Sequence, residues 1–274
     1  MTFPNHYSIA TGLYPAYHGI IMNSFTDPVT GDKFNKGLDP KWWLGEPLWV
    51  TAANQGRKAV TYFWPGSEVP KDSWTCPKEL CHEYGPDDPR VTAAVGRVDR
   101  MIGRVIQGLK KREIFDEVNV ILLGDHGMVT NCDMKTIYID DLAEWVKIPA
   151  DWINAYSPVL AMNPKWGKDV KNPSEKNAEL VAKMNEGLSS GKVENGVHEC
   201  YGDHGYDNKY FSMRSIFIGH GPRFRQGKKV PSFENVQIYN VVAEILGLRP
   251  ASNNGSSLFT RSILSSSGET GEVE

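Results

Sequence analysis

The sequence predicts an α/β fold in which a central, mostly parallel sheet carries helices on both faces. Three observations lead there. Strand-like and helix-like stretches alternate along the chain, as strand–helix–strand units require. The run Val118-Asn119-Val120-Ile121-Leu122-Leu123 is short, rich in β-branched residues and Leu, and lacks polar alternation, so it reads as a strand buried on both faces. It stops on Gly124-Asp125-His126-Gly127, and ligands in open α/β sheets gather beyond the carboxyl ends of such strands.

The chain opens with a short helix entered through Pro4 and closed by Gly12 and Pro15. Thr2 stands just ahead of its N-terminus, where free N–H groups and the helix dipole favour negative charge. An alkoxide, a bound phosphate and a plain helix cap all suit that position. A loop rich in Gly, Asp and Pro follows from His18 to Pro40. Glu46-Pro47 starts a second helix that ends near Gly56, and Arg57 to Phe63 reads as a strand leading into Trp64-Pro65-Gly66-Ser67. Between Val69 and Asp88 apolar periodicity breaks down, and the stretch from Val69 to Glu83 is expected to be irregular and poorly packed.

Asp88-Pro89 restarts order as an N-cap and first helical residue. Val91, Ala94, Val95, Val98, Ile102, Val105, Ile106 and Leu109 recur at helical spacing, with Lys110, Lys111 and Arg112 at the end that the dipole prefers. After the strand at Val118, further strands are expected at Thr136 to Ile139, Pro158 to Met162 and Ser215 to Gly219. Helices are expected at Asp140 to Val146, Ser174 to Gly187 and Asn235 to Leu246, the last stopped by Gly247. Residues 1–264 then form a single domain, and the Ser-, Gly- and Glu-rich residues 265–274 a disordered tail.

A net charge of -3 gives no electrostatic reason to bind a nucleic-acid duplex or an anionic membrane, so a small anionic substrate would need local cations or metal ions. No apolar run approaches the roughly 20 residues of a membrane span. The four cysteines, Cys76, Cys81, Cys132 and Cys200, are too few for a disulfide scaffold. A structural zinc module on Cys76, Cys81, His82 and Cys132 fits no known spacing.

Chemistry is carried instead by histidines and carboxylates beside glycines: Asp125-His126, His82 in Cys81-His82-Glu83-Tyr84-Gly85-Pro86, and His204 in Gly202-Asp203-His204-Gly205-Tyr206-Asp207-Asn208. Imidazole and carboxylate are the ligands of catalytic zinc, and two such ions can hold phosphoryl oxygens, activate a hydroxyl and support a leaving group. Thr2-Phe3-Pro4-Asn5-His6-Tyr7-Ser8-Ile9-Ala10-Thr11-Gly12-Leu13-Tyr14-Pro15, His18-Gly19-Ile20-Ile21, Phe63-Trp64-Pro65-Gly66-Ser67 and the three histidine motifs follow one another in an order that resembles the nucleotide pyrophosphatase/phosphodiesterases of the alkaline-phosphatase superfamily. The wording of the loops resembles plant members.

The resemblance implies a two-zinc hydrolase of nucleotide phosphodiester and pyrophosphate bonds on an alkaline-phosphatase-like α/β fold. Its substrate would be a small nucleotide or nucleotide sugar, and its place the secretory pathway, the extracellular space or the vacuole. Thr2 matches the nucleophile, itself a zinc ligand; Asp125 and His126 match ligands of the same zinc, and His82 and His204 ligands of the other. Asn23 matches the amide that hydrogen-bonds a phosphoryl oxygen, and Phe3 and Trp64 the aromatic walls near the nucleobase. Cys132 and Cys200 flank these ligands, and in a family of secretory character a disulfide between them is expected.

The sequence departs from the family pattern twice. The strand that supplies an Asp to the Thr-side zinc lies upstream of the nucleophile in the family and has no counterpart here. Lys78 stands where the family has an Asp four residues before the motif histidine. These departures imply a truncated product with an internal deletion near Leu80-Cys81-His82, an incomplete fold and impaired activity. The alternative is a catalytically inactive relative or fragment that acts as a binding protein.

Overall fold

The structure, a computed structural model, describes residues 1–61, 64–70, 89–132, 136–189 and 200–265. Helix α1 (Thr2–Thr11) ends where Gly12, at φ 68, turns its N–H back to the Ser8 carbonyl. Helix α2 (Pro15–His18) follows, and then a hairpin of β1 (Ser24–Thr26) and β2 (Lys33–Asn35) inside the stretch expected to be loop. Helix α3 (Leu48–Asn54) lies where Glu46-Pro47 announced it. Arg57 to Thr61 forms no strand, and Phe63 lies outside the described residues.

Tyr7, Phe34 and Trp43 are almost wholly buried at the centre of the N-terminal core, with Phe3, Ile20, Phe25, Trp49 and Val69 around them. Their rings meet edge-on: Tyr7 and Trp43 lie 4.9 Å apart at 85°, Phe34 and Trp43 5.7 Å apart at 69°. Val69 is therefore well packed, and residues 71–83 of the stretch expected to be irregular lie outside the described residues.

Helix α4 (Pro89–Lys111) follows the periodicity of its sequence. Its apolar stripe, however, is open to solvent among the described residues, with Val95 63% and Val105 60% exposed. Strand β3 (Val120–Leu123) is partly rather than fully buried on its two faces. Beyond residues 124–128 come β4 (Val129–Cys132), β5 (Ile153–Ala155), β6 (Ala161–Met162), helix α5 (Pro173–Ser189), β7 (Cys200–Asp203) and β8 (Phe217–His220). Helices α6 (Gln237–Leu246), capped by Gly247, and α7 (Ser257–Ile263) complete the order.

The mostly parallel central sheet is not what these strands make. Among the described residues they pair two by two, β1 with β2, β3 with β8, β4 with β7 and β5 with β6, and every pair is antiparallel. Residues 136–138 are irregular and Ile139–Leu142 is a 3₁₀ turn, in place of the strand and helix expected there. The ladder of β4 with β7 sets Val129 opposite Asp203, so the loop that precedes β4 and the loop that follows β7 leave the ladder side by side. That register brings the Asp125-His126 and His204 motifs together.

Candidate active site

Thr2 is the first residue of α1 rather than the residue before it. The N–H of Phe3 is capped by the Asn23 side-chain oxygen at 3.0 Å, which fixes the amide so that its NH₂ remains as a donor beside the helix start. His6, one helical turn on, donates from Nδ1 to the Thr2 carbonyl at 2.9 Å.

Asp125 and His126 arrive from the end of β3. Gly127 closes this loop onto residues 212–213: its N–H donates to the Met213 carbonyl at 3.0 Å, and a Cβ there would collide with the Ser212 backbone. Its φ is not positive, so the glycine serves close approach of the two backbones. His126 Nδ1 lies 2.9 Å from the Gly127 carbonyl, an acceptor only, so that nitrogen carries a proton and Nε2 is the atom turned to the site. Nε2 faces Thr2 Oγ1 at 3.4 Å and Asp125 Oδ2 at 3.2 Å. Two such atoms this close share a cation, either a proton donated by Nε2 or a metal in its place.

Burial works against the Asp125 charge, but hydrogen bonds from His126 and His6 and their charge hold its carboxyl well below the usual carboxylate range. His6 responds in kind. Burial disfavours its charge, yet its contact with Asp125 Oδ1 at 3.3 Å leaves its pKa raised. An anionic carboxylate, an imidazole nitrogen and a hydroxyl are donors that zinc accepts, and they fit a divalent cation. Among the described residues no group of three or more His, Cys, Asp or Glu side chains is set to hold a metal, and the set reaches three only by counting Thr2. His204 stacks on His126, ring centroids 3.6 Å apart at 23°. His82 and Lys78 lie outside the described residues.

Trp64 stands beside the helix, its Nε1–H donating to the His6 carbonyl at 3.2 Å and its ring edge-on to His6 at 5.0 Å. Gly66, at φ 88, makes the turn after it, where a Cβ would strike the Trp43 ring. Phe3 packs in the core, 9% exposed, on Phe34 and Trp43, with Lys36 Nζ 5.7 Å from its ring centroid. Asn5 and His6 went unassigned in the sequence. Their spacing from Thr2, three and four residues along a helix, was the signal that could have found them.

The structure of murine ectonucleotide pyrophosphatase/phosphodiesterase 5 matches this fold with a TM-score of 0.78 over 97% of this chain and 88% of that one, at 24% identity. The fold is therefore of the alkaline-phosphatase-like α/β class. The chain belongs to the type I phosphodiesterase / nucleotide pyrophosphatase family, whose sequence model matches residues 1–82 and 81–219 in two segments that meet at Cys81-His82. Ectonucleotide pyrophosphatase/phosphodiesterase family member 3 of Bos taurus is 33% identical over 335 residues, covering 93% of this chain and 38% of that protein. A venom phosphodiesterase of Crotalus durissus collilineatus is 33% identical over 330 residues, with 93% and 40% covered. Family member 1 of Homo sapiens is 31% identical over 332 residues, with 93% and 36% covered. The chain thus spans well under half the length of these curated relatives. Among the described residues no helix is long and apolar enough to cross a membrane.

Proposed function

We propose that the chain hydrolyses nucleotide phosphodiester or pyrophosphate bonds, nucleotide sugars included, with Thr2 as nucleophile and zinc held by Thr2, Asp125 and His126. A single observation carries this reading: the hydroxyl at the start of α1 meets the His126 imidazole from more than 120 residues away, and the same ring nitrogen meets the Asp125 carboxylate. The family, and relatives named for nucleotide phosphodiester chemistry, support it.

Zinc, when bound, supplies a Lewis acid that lowers the pKa of the threonine hydroxyl and accepts phosphoryl charge. Thr2 Oγ1 forms a bond to phosphorus as the bond to the leaving oxygen breaks, and water then releases the nucleotide from the threonine. Asn23 donates its NH₂ to a phosphoryl oxygen. Trp64 is the aromatic wall for the base, and Phe3 stiffens the helix start from within the core. His204, with His82, is the proposed ligand set of a second zinc. We read the two family segments meeting at Cys81-His82, and an alignment of 335 positions against a 274-residue chain, as the internal deletion that Lys78 and its surroundings suggest.

The test is release of nitrophenol from the nitrophenyl ester of thymidine monophosphate with added zinc. Turnover should be lost by about a hundredfold or more in Thr2→Ala. Equal turnover by Thr2→Ala would remove Thr2 from the mechanism, and a zinc-independent inert wild type would favour the inactive, binding-protein reading.

A further inference from the structure

Asp125 is held in place by a hydrogen-bond chain that starts two residues ahead of α6. Asn5 Nδ2 donates to both the backbone oxygen of Asp125, at 2.8 Å, and its Oδ1, at 2.7 Å. Asn235 Nδ2 in turn donates to Asn5 Oδ1 at 2.6 Å. The polarity of this chain is fixed by chemistry. Both Asp125 atoms are acceptors only, so the Asn5 NH₂ must face them; its oxygen must then face Asn235, which must present its own NH₂.

The far end of the chain is anchored firmly. Asn235 lies two residues ahead of α6, its carbonyl accepts from the Ile238 N–H at 3.1 Å, and Val236, the N-cap between them, is fully buried. Tyr239, one turn on, is fully buried too, with its hydroxyl 2.8 Å from Thr51 Oγ1 and accepting from the Ala251 N–H.

The geometry points to Asn5 and Asn235 as positioning residues that select which carboxylate oxygen of Asp125 serves the metal. Oδ1 is engaged by Asn5 and by His6, while Oδ2 turns toward His126 and away from the relay. A carboxylate pinned through one oxygen cannot rotate to share both with solvent, so Oδ2 is presented in one orientation toward His126. Ligating carboxylates are commonly held by such outer partners, and losing one costs about 10–100-fold in metal affinity or activity. This inference rests on the zinc reading of the site and adds two residues that touch neither the metal set's donor atoms nor, in the case of Asn235, any site residue other than Asn5.

The experiment measures zinc affinity of the full chain by competition with a chromophoric chelator, for wild type, Asn235→Ala and the isosteric Asn235→Asp. Melting temperatures in chelator serve as the check on folding. Both variants should melt metal-free within a few degrees of wild type and bind zinc about tenfold or more weakly. In the nitrophenyl assay kcat should fall with KM little changed, since the relay positions a ligand rather than the substrate. Wild-type affinity in a folded Asn235→Asp overturns the relay while leaving the zinc reading intact. A wild type that binds no zinc overturns the zinc reading, and the relay's role with it. If Asn235→Ala fails to fold, Asn235→Asp decides alone.

Discussion

The two halves of the site stand on different foundations. Thr2 begins a helix whose buried face is locked into the aromatic core, with Tyr7 fully buried and Phe3 packed on Phe34 and Trp43. Asp125 and His126 come from a segment in which every residue from 118 to 131 is only partly buried, and the helix before it in sequence has an apolar stripe open to solvent among the described residues. One half is held by packing, the other by register, close backbone contact and the Asn235–Asn5–Asp125 hydrogen bonds. A site joined this way places Thr2 rigidly and leaves Asp125 and His126 adjustable, so damage to the two halves should look different.

The sharpest way to separate them is Trp43→Ala. Emptying the centre of the N-terminal core should destabilise the protein by about 3–5 kcal/mol in denaturant unfolding. A cost under about 1 kcal/mol would mean that this core does not dominate stability.

The looser half is where the expected disulfide would act as a brace. Strands β4 and β7 set Cys132 directly opposite Cys200. Such cross-strand neighbours lie roughly 4.5–5.5 Å apart between Cα atoms, inside the ~7 Å limit for a disulfide. In the oxidised protein, alkylation and mass measurement should find these two thiols blocked, and reduction should cost about 2–4 kcal/mol. Two alkylated thiols in unreduced protein would leave the ladder to its hydrogen bonds.

His18 gives the packed half a signature in pH. It is fully buried; Ile20 N–H donates to its Nδ1 at 3.1 Å, so Nε2 carries the proton and donates to Ser8 Oγ at 2.9 Å. Burial pushes its pKa down to about 4 from 6.5. The unfolded chain therefore takes up a proton that the folded one refuses, and stability falls as pH drops from about 6.5 toward 4, by about 2–3 kcal/mol. Asp125, depressed instead, loses its contribution only as the pH falls through and below the ordinary carboxylate range. In His18→Gln the slope between pH 6.5 and 4 should flatten; an unchanged slope would assign it to other groups.

The smallest effect is expected on α4. Val98→Ser, at a half-exposed position of the open stripe, should change stability by no more than about 0.5 kcal/mol. A loss above about 1 kcal/mol would show that the stripe is covered in solution.

Much of this was legible in the sequence where the determinants are local. α1, α3, α4, α5 and α6 announce themselves through Pro and Gly punctuation and apolar spacing, and the motif residues Thr2, Asp125, His126 and His204 do converge. What the sequence did not reveal depends on partners far along the chain. The apolar run at β3 predicted burial on both faces and parallel neighbours, but its pairing with β8 is antiparallel and its faces stay partly open. The β1–β2 hairpin hides among turn residues because one aromatic per strand, Phe25 and Phe34, is its whole buried pattern. Phe3, matched to an aromatic wall by resemblance, packs in the core, a placement that its sequence neighbours do not reveal. Asn235 carried no signal at all; only the fold brings it to Asn5.

The central claim, that the hydroxyl of Thr2 attacks phosphorus between Asp125 and His126, is tested most directly by trapping. Wild type with zinc and the nitrophenyl ester of thymidine monophosphate is quenched in acid during turnover, digested and mapped by mass spectrometry. The expected result is a thymidylyl group on the peptide containing Thr2, absent without zinc and absent in Thr2→Ala. A nucleotidyl group on any other residue, or steady turnover with the Thr2 peptide never modified, would contradict the account.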